Sequence, residues 1–226
     1  MKAVAVKLGR LFLGFLLCSG ATVMALNSRL GLGPWDVLHE GLSKTIGITI
    51  GQASIMVSVL IIIISLCIKV QIGIGTVLNI FAVGVLIDGI NATKLIPVST
   101  NVIMGVIMMV ASLLMMGVGC YLYIGCEMGC GPRDGLMIAI VNKTGKSIRL
   151  IRFCIECTAL ILGWYLGGKA GIATGVTVFG MGYFMQAVFD FFHFDVSKLN
   201  HRSIASYFKK KGRELDEDSS NIRSAY

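Results

Sequence analysis

The chain has 226 residues, of which 55% are hydrophobic and only 14% are charged. A soluble domain needs roughly a quarter of its residues charged to cover its surface. This shortfall, with a mean hydropathy of +0.82, excludes an ordinary soluble protein and predicts an integral membrane protein whose main partner is the lipid bilayer. The net charge of +8 is explained by the positive-inside rule, so we expect no nucleic-acid partner.

The seven cysteines lie mostly inside apolar runs, where cysteine packs as a small, soft side chain. Cys126 with Cys130, or Cys154 with Cys157, could share a helix face and ligate a soft metal. No histidine joins them at a zinc-site spacing. We therefore expect packing roles, no metal and no cofactor.

The chain is a tandem repeat. Gly-Leu-Gly-Pro-Trp-Asp at 31–36 matches Gly-Cys-Gly-Pro-Arg-Asp at 129–134, an offset of 98 positions (129 − 31 = 98). The same offset pairs Gly47 with Gly145. We predict a first transmembrane repeat at 1–98, a second at 99–194, and a tail at 195–226 that carries basic and then acidic residues.

In chain order, each repeat is expected to contain one span, a short helix that follows the motif, and two further spans. A span needs about 20 apolar residues. The predicted spans cover about 8–28, 51–68, 73–91, 101–124, 149–167 and 171–192, and the short helices cover about 34–46 and 132–143. The fold class is therefore an all-α, polytopic transmembrane helical bundle.

Basic residues predict the orientation. If six spans cross, the N-terminus, the 125–150 loop and the tail share one side, and that side holds most of the Lys and Arg. This side is then the cytoplasm, in a bacterial inner membrane, with both termini cytoplasmic and the tail partly disordered. Three spans per repeat is an odd number, so the two copies insert in opposite orientations as an inverted-topology repeat.

The Gly-x-Gly-Pro-x-Asp motif predicts a chain break ahead of a helix start, with Pro at the first helical position and Asp in the first turn. A capped turn explains the motif fully. The functional interpretation is that both short helices re-enter the membrane and converge on an anionic group near its midplane, as in inverted-repeat transporters. That interpretation fails if the helices lie flat on the two surfaces. His39 has no partner His or Cys, and we expect it at the surface or an interface.

Ionisable residues within a span are functional candidates because burying them is costly. Glu156 lies in the predicted fifth span, with Arg152 one turn before it. The pair either holds helices together, with Arg133 as a further candidate partner, or binds a proton or substrate cation. The candidate substrate-binding residues are Gly31, Gly33, Pro34, Trp35, Asp36, Gly129, Gly131, Pro132, Arg133, Asp134, Arg152 and Glu156.

Residues 31–39 and 131–137 resemble the two signatures of the YczE-like bacterial membrane proteins and, more distantly, the YitT family. The segments 143–147 and 149–156 and the Leu-Gly-Trp at 162–164 also resemble the second half of that family. The likeness covers about residues 10–192 and not the tail. It implies a bacterial cell-membrane protein, and it bears on architecture far more than on function, because most members have no assigned activity.

Two functions compete. The first is a small secondary transporter or exporter whose site for an unidentified small molecule lies between the two repeats. The alternative is a non-transporting accessory or scaffold protein that supports a biosynthetic or signalling complex through its tail. An enzyme is not expected, because no His pair, Ser–His pair or metal-ligand constellation is present. Six spans make a small transporter, so a homodimer is a candidate assembly.

Overall fold

The computed structural model describes residues 2–68, 73–126, 128, 131–146 and 148–193. The predicted tail at 195–226, Gly129 and the side chain of Asp134 lie outside the described residues. Within the described ranges the chain forms eight helices, α1 (Lys2–Ser28), α2 (Pro34–Ile46), α3 (Ile50–Cys67), α4 (Ile74–Thr93), α5 (Val102–Ile124), α6 (Pro132–Thr144), α7 (Ile148–Tyr165) and α8 (Ile172–Phe191). The all-α class is confirmed.

Five of these helices, α1, α3, α4, α5 and α8, are long and apolar enough to cross a membrane. The helix α7 also has 18 residues, but Arg149, Arg152 and Glu156 make it more polar. The fifth predicted span, which corresponds to α7, therefore stays a prediction. The helices α2 and α6, with 13 residues each, correspond to the two predicted short helices.

The same local signals bound the short helix of each repeat. Pro34 begins α2 directly after Gly33, and Pro132 begins α6 directly after Gly131. Each helix then ends at a glycine in the left-handed region, with φ of 76° for Gly47 and 67° for its counterpart Gly145. In the first repeat, α3 begins just after this glycine, and the Gly51 N–H in its first turn donates to the Asp88 carboxylate of α4 at 2.9 Å.

Several helix pairs recur when each helix is exchanged with its repeat counterpart. The central pair is α1 with α5, which are counterparts of each other. The helix α2 packs on α7 as α6 packs on α3, and α1 packs on α4 as α5 packs on α8. The extensive α3–α4 contact has no equally extensive α7–α8 counterpart among the described residues. The insertion of the copies in opposite orientations stays a prediction.

Two backbone hydrogen bonds join the repeats at equivalent places. The Ala173 N–H donates to the Leu30 carbonyl at 3.1 Å, and the Gly75 N–H donates to the Met128 carbonyl at 2.8 Å. Donors and acceptors each differ by 98 positions, so the last helix of each repeat begins against the motif loop of the other. Gly31 (φ 127°) permits this approach, because a Cβ there would lie 2.8 Å from the backbone N of Gly171.

Candidate functional site

The two motifs meet where the short helices begin. The guanidinium carbon of Arg133 lies 4.7 Å from the centroid of the Trp35 ring, and the Arg133 Nη2 lies 3.3 Å from the His39 Nε2. Trp35 and Arg133 occupy equivalent positions, since 35 + 98 = 133. The contact therefore joins the two copies of the motif.

His39 is the centre of this contact, so of its two predicted places the surface is wrong, and it lies buried between the two repeats. The residue is only 1% exposed, on a helix that packs on α3 and α7, and the Arg133 side chain of α6 lies against its ring. A lone histidine gives no sign of this in the sequence. Its partner is an arginine 94 positions away, and only the packing of α2 against α6 brings the two together.

The bonding of His39 defines its protonation state. A guanidinium has only donors, so the His39 Nε2 must accept from Arg133, and the ring proton is then on Nδ1. The Nδ1 atom faces the Asp36 carboxylate at 3.6 Å, which is longer than a hydrogen bond. His39 lies outside the five spans, and burial, together with the charge of Arg133, lowers its pKa from 6.5, against the opposing effect of Asp36. A neutral imidazole therefore links the two motifs.

The C-terminal ends of the two short helices lie at opposite ends of α7, and their motifs meet between those ends. The far end of α2 lies at the C-terminal end of α7, where the Lys44 Nζ donates to the Gly167 carbonyl at 3.1 Å. The far end of α6 lies at the opposite end, since Thr144 is four positions before Ile148. The 18 residues of α7 span about 27 Å at 1.5 Å each. The two short helices thus approach each other from opposite ends of a span-length helix.

Close backbone packing holds α2 along α7. A Cβ at Gly41 would overlap the Gly163 carbonyl oxygen, and a Cβ at Gly168 would overlap the Val37 carbonyl oxygen. Val37 is fully buried in this contact. The apolar side chains of α2 pack against α3, α6 and α7.

Glu40 is a site residue that sequence analysis missed. It is 7% exposed, and each of its carboxylate oxygens has a partner at 2.7 Å: Oε1 accepts from the Lys44 Nζ, and Oε2 accepts from the Lys169 backbone N–H. The spacing of Glu40 and Lys44 could have indicated an ion pair on one helix. The bond to Lys169, 129 positions away, has no sequence signal.

A cavity of about 630 Å³ lies beside the first motif, within the size range of small-molecule sites. Its walls come from the end of α1, the motif loop, α2, the α4–α5 loop and the α7–α8 loop. The lining residues are Ala25, Leu26, Asn27, Arg29, Gly31, Leu32, Glu40, Val98 and Lys169. The cavity reaches Glu40, which is the residue next to His39 in α2.

The remaining predicted residues divide into two groups. Pro34, Gly131 and Pro132 are buried at the starts of the two short helices, as part of the meeting point. Arg152 and Glu156 form an ion pair within α7, with Nε and Oε1 3.0 Å apart. Among the described residues, no cluster of three or more His, Cys, Asp or Glu side chains could hold a metal ion.

Comparison with known proteins agrees with the membrane class predicted from the composition. The family of unknown function DUF6198 matches residues 6–190. An uncharacterized protein of Haemophilus influenzae is 33% identical over 174 residues, which are 77% of this chain and 77% of that protein. The uncharacterized membrane protein YczE of Bacillus subtilis is 32% identical over 172 residues, 76% of this chain and 79% of YczE. No solved structure matches the chain.

Proposed function

We propose that this chain, a member of the DUF6198 family, is a small secondary transporter of an organic anion. The family membership agrees with the predicted resemblance to YczE-like membrane proteins. The observation that carries this proposal is the contact of Arg133 with Trp35 and His39, where the two short helices begin. The proposal includes a bacterial inner-membrane location, cytoplasmic termini and copies of opposite orientation. The substrate is bound and released without chemical conversion.

Charge supports an anionic substrate. The N-terminal end of a helix carries a partial positive charge and free backbone N–H groups, and two such ends lie together with the Arg133 guanidinium. A carboxylate or phosphate matches this arrangement, because a guanidinium binds such groups with two parallel hydrogen bonds. Asp36 in the first turn of α2 and Asp134 at the equivalent position of α6 carry the opposite charge, so the positive charge at this place comes from the two helix ends and Arg133 together.

The geometry supports alternating access. Transporters built from inverted repeats keep their site at the interface of the repeats, and rocking of one repeat against the other opens it to each side in turn. Here Trp35 and Arg133, which occupy equivalent positions in the two copies, are in contact, and this supports a site between the copies. The cavity beside Gly31 and Glu40 would be one of the two access routes.

The test is uptake by proteoliposomes of a panel of labelled monocarboxylates, dicarboxylates and phosphate esters. We expect flux of at least one member and a loss of about tenfold or more in Arg133→Gln. Lys143→Gln is the matched control, since it removes a basic residue from the exposed last turn of the same helix and should transport normally. Glu156→Gln tests the second predicted position in the same assay.

Folded wild-type protein that moves no member of the panel would contradict transport and favour the accessory role. Equal flux in Arg133→Gln and Lys143→Gln would remove Arg133 from the site. Thermal unfolding of each variant in detergent separates loss of flux from loss of fold.

A further inference from the structure

We propose that His39 is the proton-binding group of this site, and that a proton and Arg133 compete for the same atom, the imidazole Nε2. This inference rests on the proposed function for its role in coupling, but the proton site itself does not require transport. It identifies the coupling ion as H⁺, which binds at the contact between the repeats.

The competition follows from hydrogen-bond chemistry. The lone pair on the His39 Nε2 accepts an N–H of Arg133 at 3.3 Å. When a proton from water binds this lone pair, Nε2 becomes a donor, and two cationic donors then face each other in a buried place. The imidazolium and the guanidinium must separate. Proton binding thus breaks the hydrogen bond that joins the first motif to the second.

Asp36 makes the protonated state attainable. Its Oδ1 lies 3.6 Å from the Nδ1 of His39, so a carboxylate already faces the imidazolium once Arg133 has moved away. Among the described side chains, the charged groups that face His39 are Asp36 from its own helix and Arg133 from α6. Asp36 favours proton binding to His39, and Arg133 opposes it. The two groups thus favour the protonated and the neutral state of His39, respectively.

The neutral state, in which the His39 Nε2 accepts from Arg133, prevails at neutral pH. Burial lowers the pKa of His39 from its ordinary value of 6.5, so the proton binds when the pH falls below that range or when Arg133 leaves. Substrate binding and proton binding are then linked. An anion that draws the Arg133 guanidinium away from His39 raises the proton affinity of His39, and a proton on His39 releases Arg133 to the anion.

Trp35 offers a direct readout of this exchange. The chain contains two tryptophans, so Trp164→Phe leaves Trp35, whose ring face carries the Arg133 cation, as the single emitter. The experiment is a titration of Trp35 emission from about pH 8 to about pH 4.5 in the full chain in nanodiscs. We expect one transition with a midpoint below that of a free histidine.

Three variants in the Trp164→Phe background identify the group. His39→Gln should lose the transition while keeping the fold, since its amide oxygen can accept from Arg133 but does not titrate in this range. Arg133→Gln, which removes the opposing charge, should raise the midpoint of His39 as followed by NMR. His193→Gln is the control, because it removes an exposed histidine and should leave the transition unchanged.

A transition that persists in His39→Gln, or its absence in the parent, would overturn the proton site. If His39→Gln does not fold, NMR of ¹³C-histidine in the chain with His193→Gln and His201→Gln observes His39 alone, and failure to titrate there overturns the proposal. Flux that ignores a pH gradient although His39 titrates would overturn the coupling role. Absence of flux with an intact titration would contradict the proposed transport and support the proton site.

Discussion

Trp35 and Arg133 are the same position in the two repeats, and they touch, with the guanidinium carbon 4.7 Å from the centroid of the indole ring. One copy thus supplies an aromatic face to the contact, and the other supplies a cation. Two tryptophans or two arginines at this position could not form the same cation–π pair. The divergence of the repeats at this position is therefore what makes the contact attractive and the site asymmetric.

A double-mutant cycle measures this contact. We expect Trp35→Leu and Arg133→Gln each to destabilise the fold, and the double variant to lose less than the sum by about 1 kcal/mol, the value of a partly desolvated cation–π pair. The measurement is unfolding of the four proteins in mixed micelles. Arg133→Lys keeps the charge and should retain part of the coupling, whereas additive losses would show that the contact contributes nothing.

The α2–α7 contact should not tolerate a methyl group. Gly41→Ala would place a Cβ against the Gly163 carbonyl oxygen, and we expect a loss of about 1–3 kcal/mol from overpacking. Gly89→Ala is the matched control, since Gly89 lies inside α4 with no atom within 4 Å of an added Cβ. It should be neutral or stabilising by about 0.5–1 kcal/mol. Equal stability of the two variants in thermal unfolding would contradict the close packing.

The ends of the two short helices should face opposite sides of the membrane. Ile46 and Thr144 are equivalent positions (46 + 98 = 144), and both side chains are exposed at the ends of α2 and α6. In a cysteine-free chain, we expect Ile46→Cys to react with an impermeant maleimide in intact cells and Thr144→Cys to react only after permeabilisation. Labelling of both from one side would disprove the inverted orientation of the copies.

Glu40 should contribute to stability through its bond to the α7–α8 loop. Glu40→Gln keeps one acceptor but loses a buried charge-assisted bond, so we expect a loss of about 1–2 kcal/mol. Lys44→Met removes the ammonium group that pairs with Glu40. Because the Lys44 side chain is 42% exposed, this change should lower the free energy of unfolding by less than about 1 kcal/mol. Chemical denaturation of both variants checks the order, and a larger effect of Lys44→Met would contradict the assignment.

The ends of the helices could be read from the sequence because their causes are local. The predicted short helix at 34–46 matches α2, and that at 132–143 ends one residue before α6 does. In both cases Pro starts the helix and a glycine in the left-handed region follows its end. These signals act within a few residues, so they need no knowledge of the fold.

Contacts between distant residues could not be read in this way. The sequence indicated that Arg152 and Glu156 were neighbours, because they are four positions apart on one helix. It did not indicate that His39 is buried against Arg133 or that Glu40 binds the amide of Lys169, since these partners lie 94 and 129 positions away. Composition and spacing carry no information on which helix faces meet.

Three properties were determined by the sequence itself: the membrane class, through its apolar composition, the helix ends, through Pro and Gly, and the repeat, through the offset of 98 positions. The tertiary structure alone decided that Trp35 meets its counterpart Arg133 with His39 between the helix starts. The physical reason is that hydropathy and capping act along the chain. The approach of α2 to α6 depends instead on how all the helices pack at once, including the glycine contacts of α2 with α7.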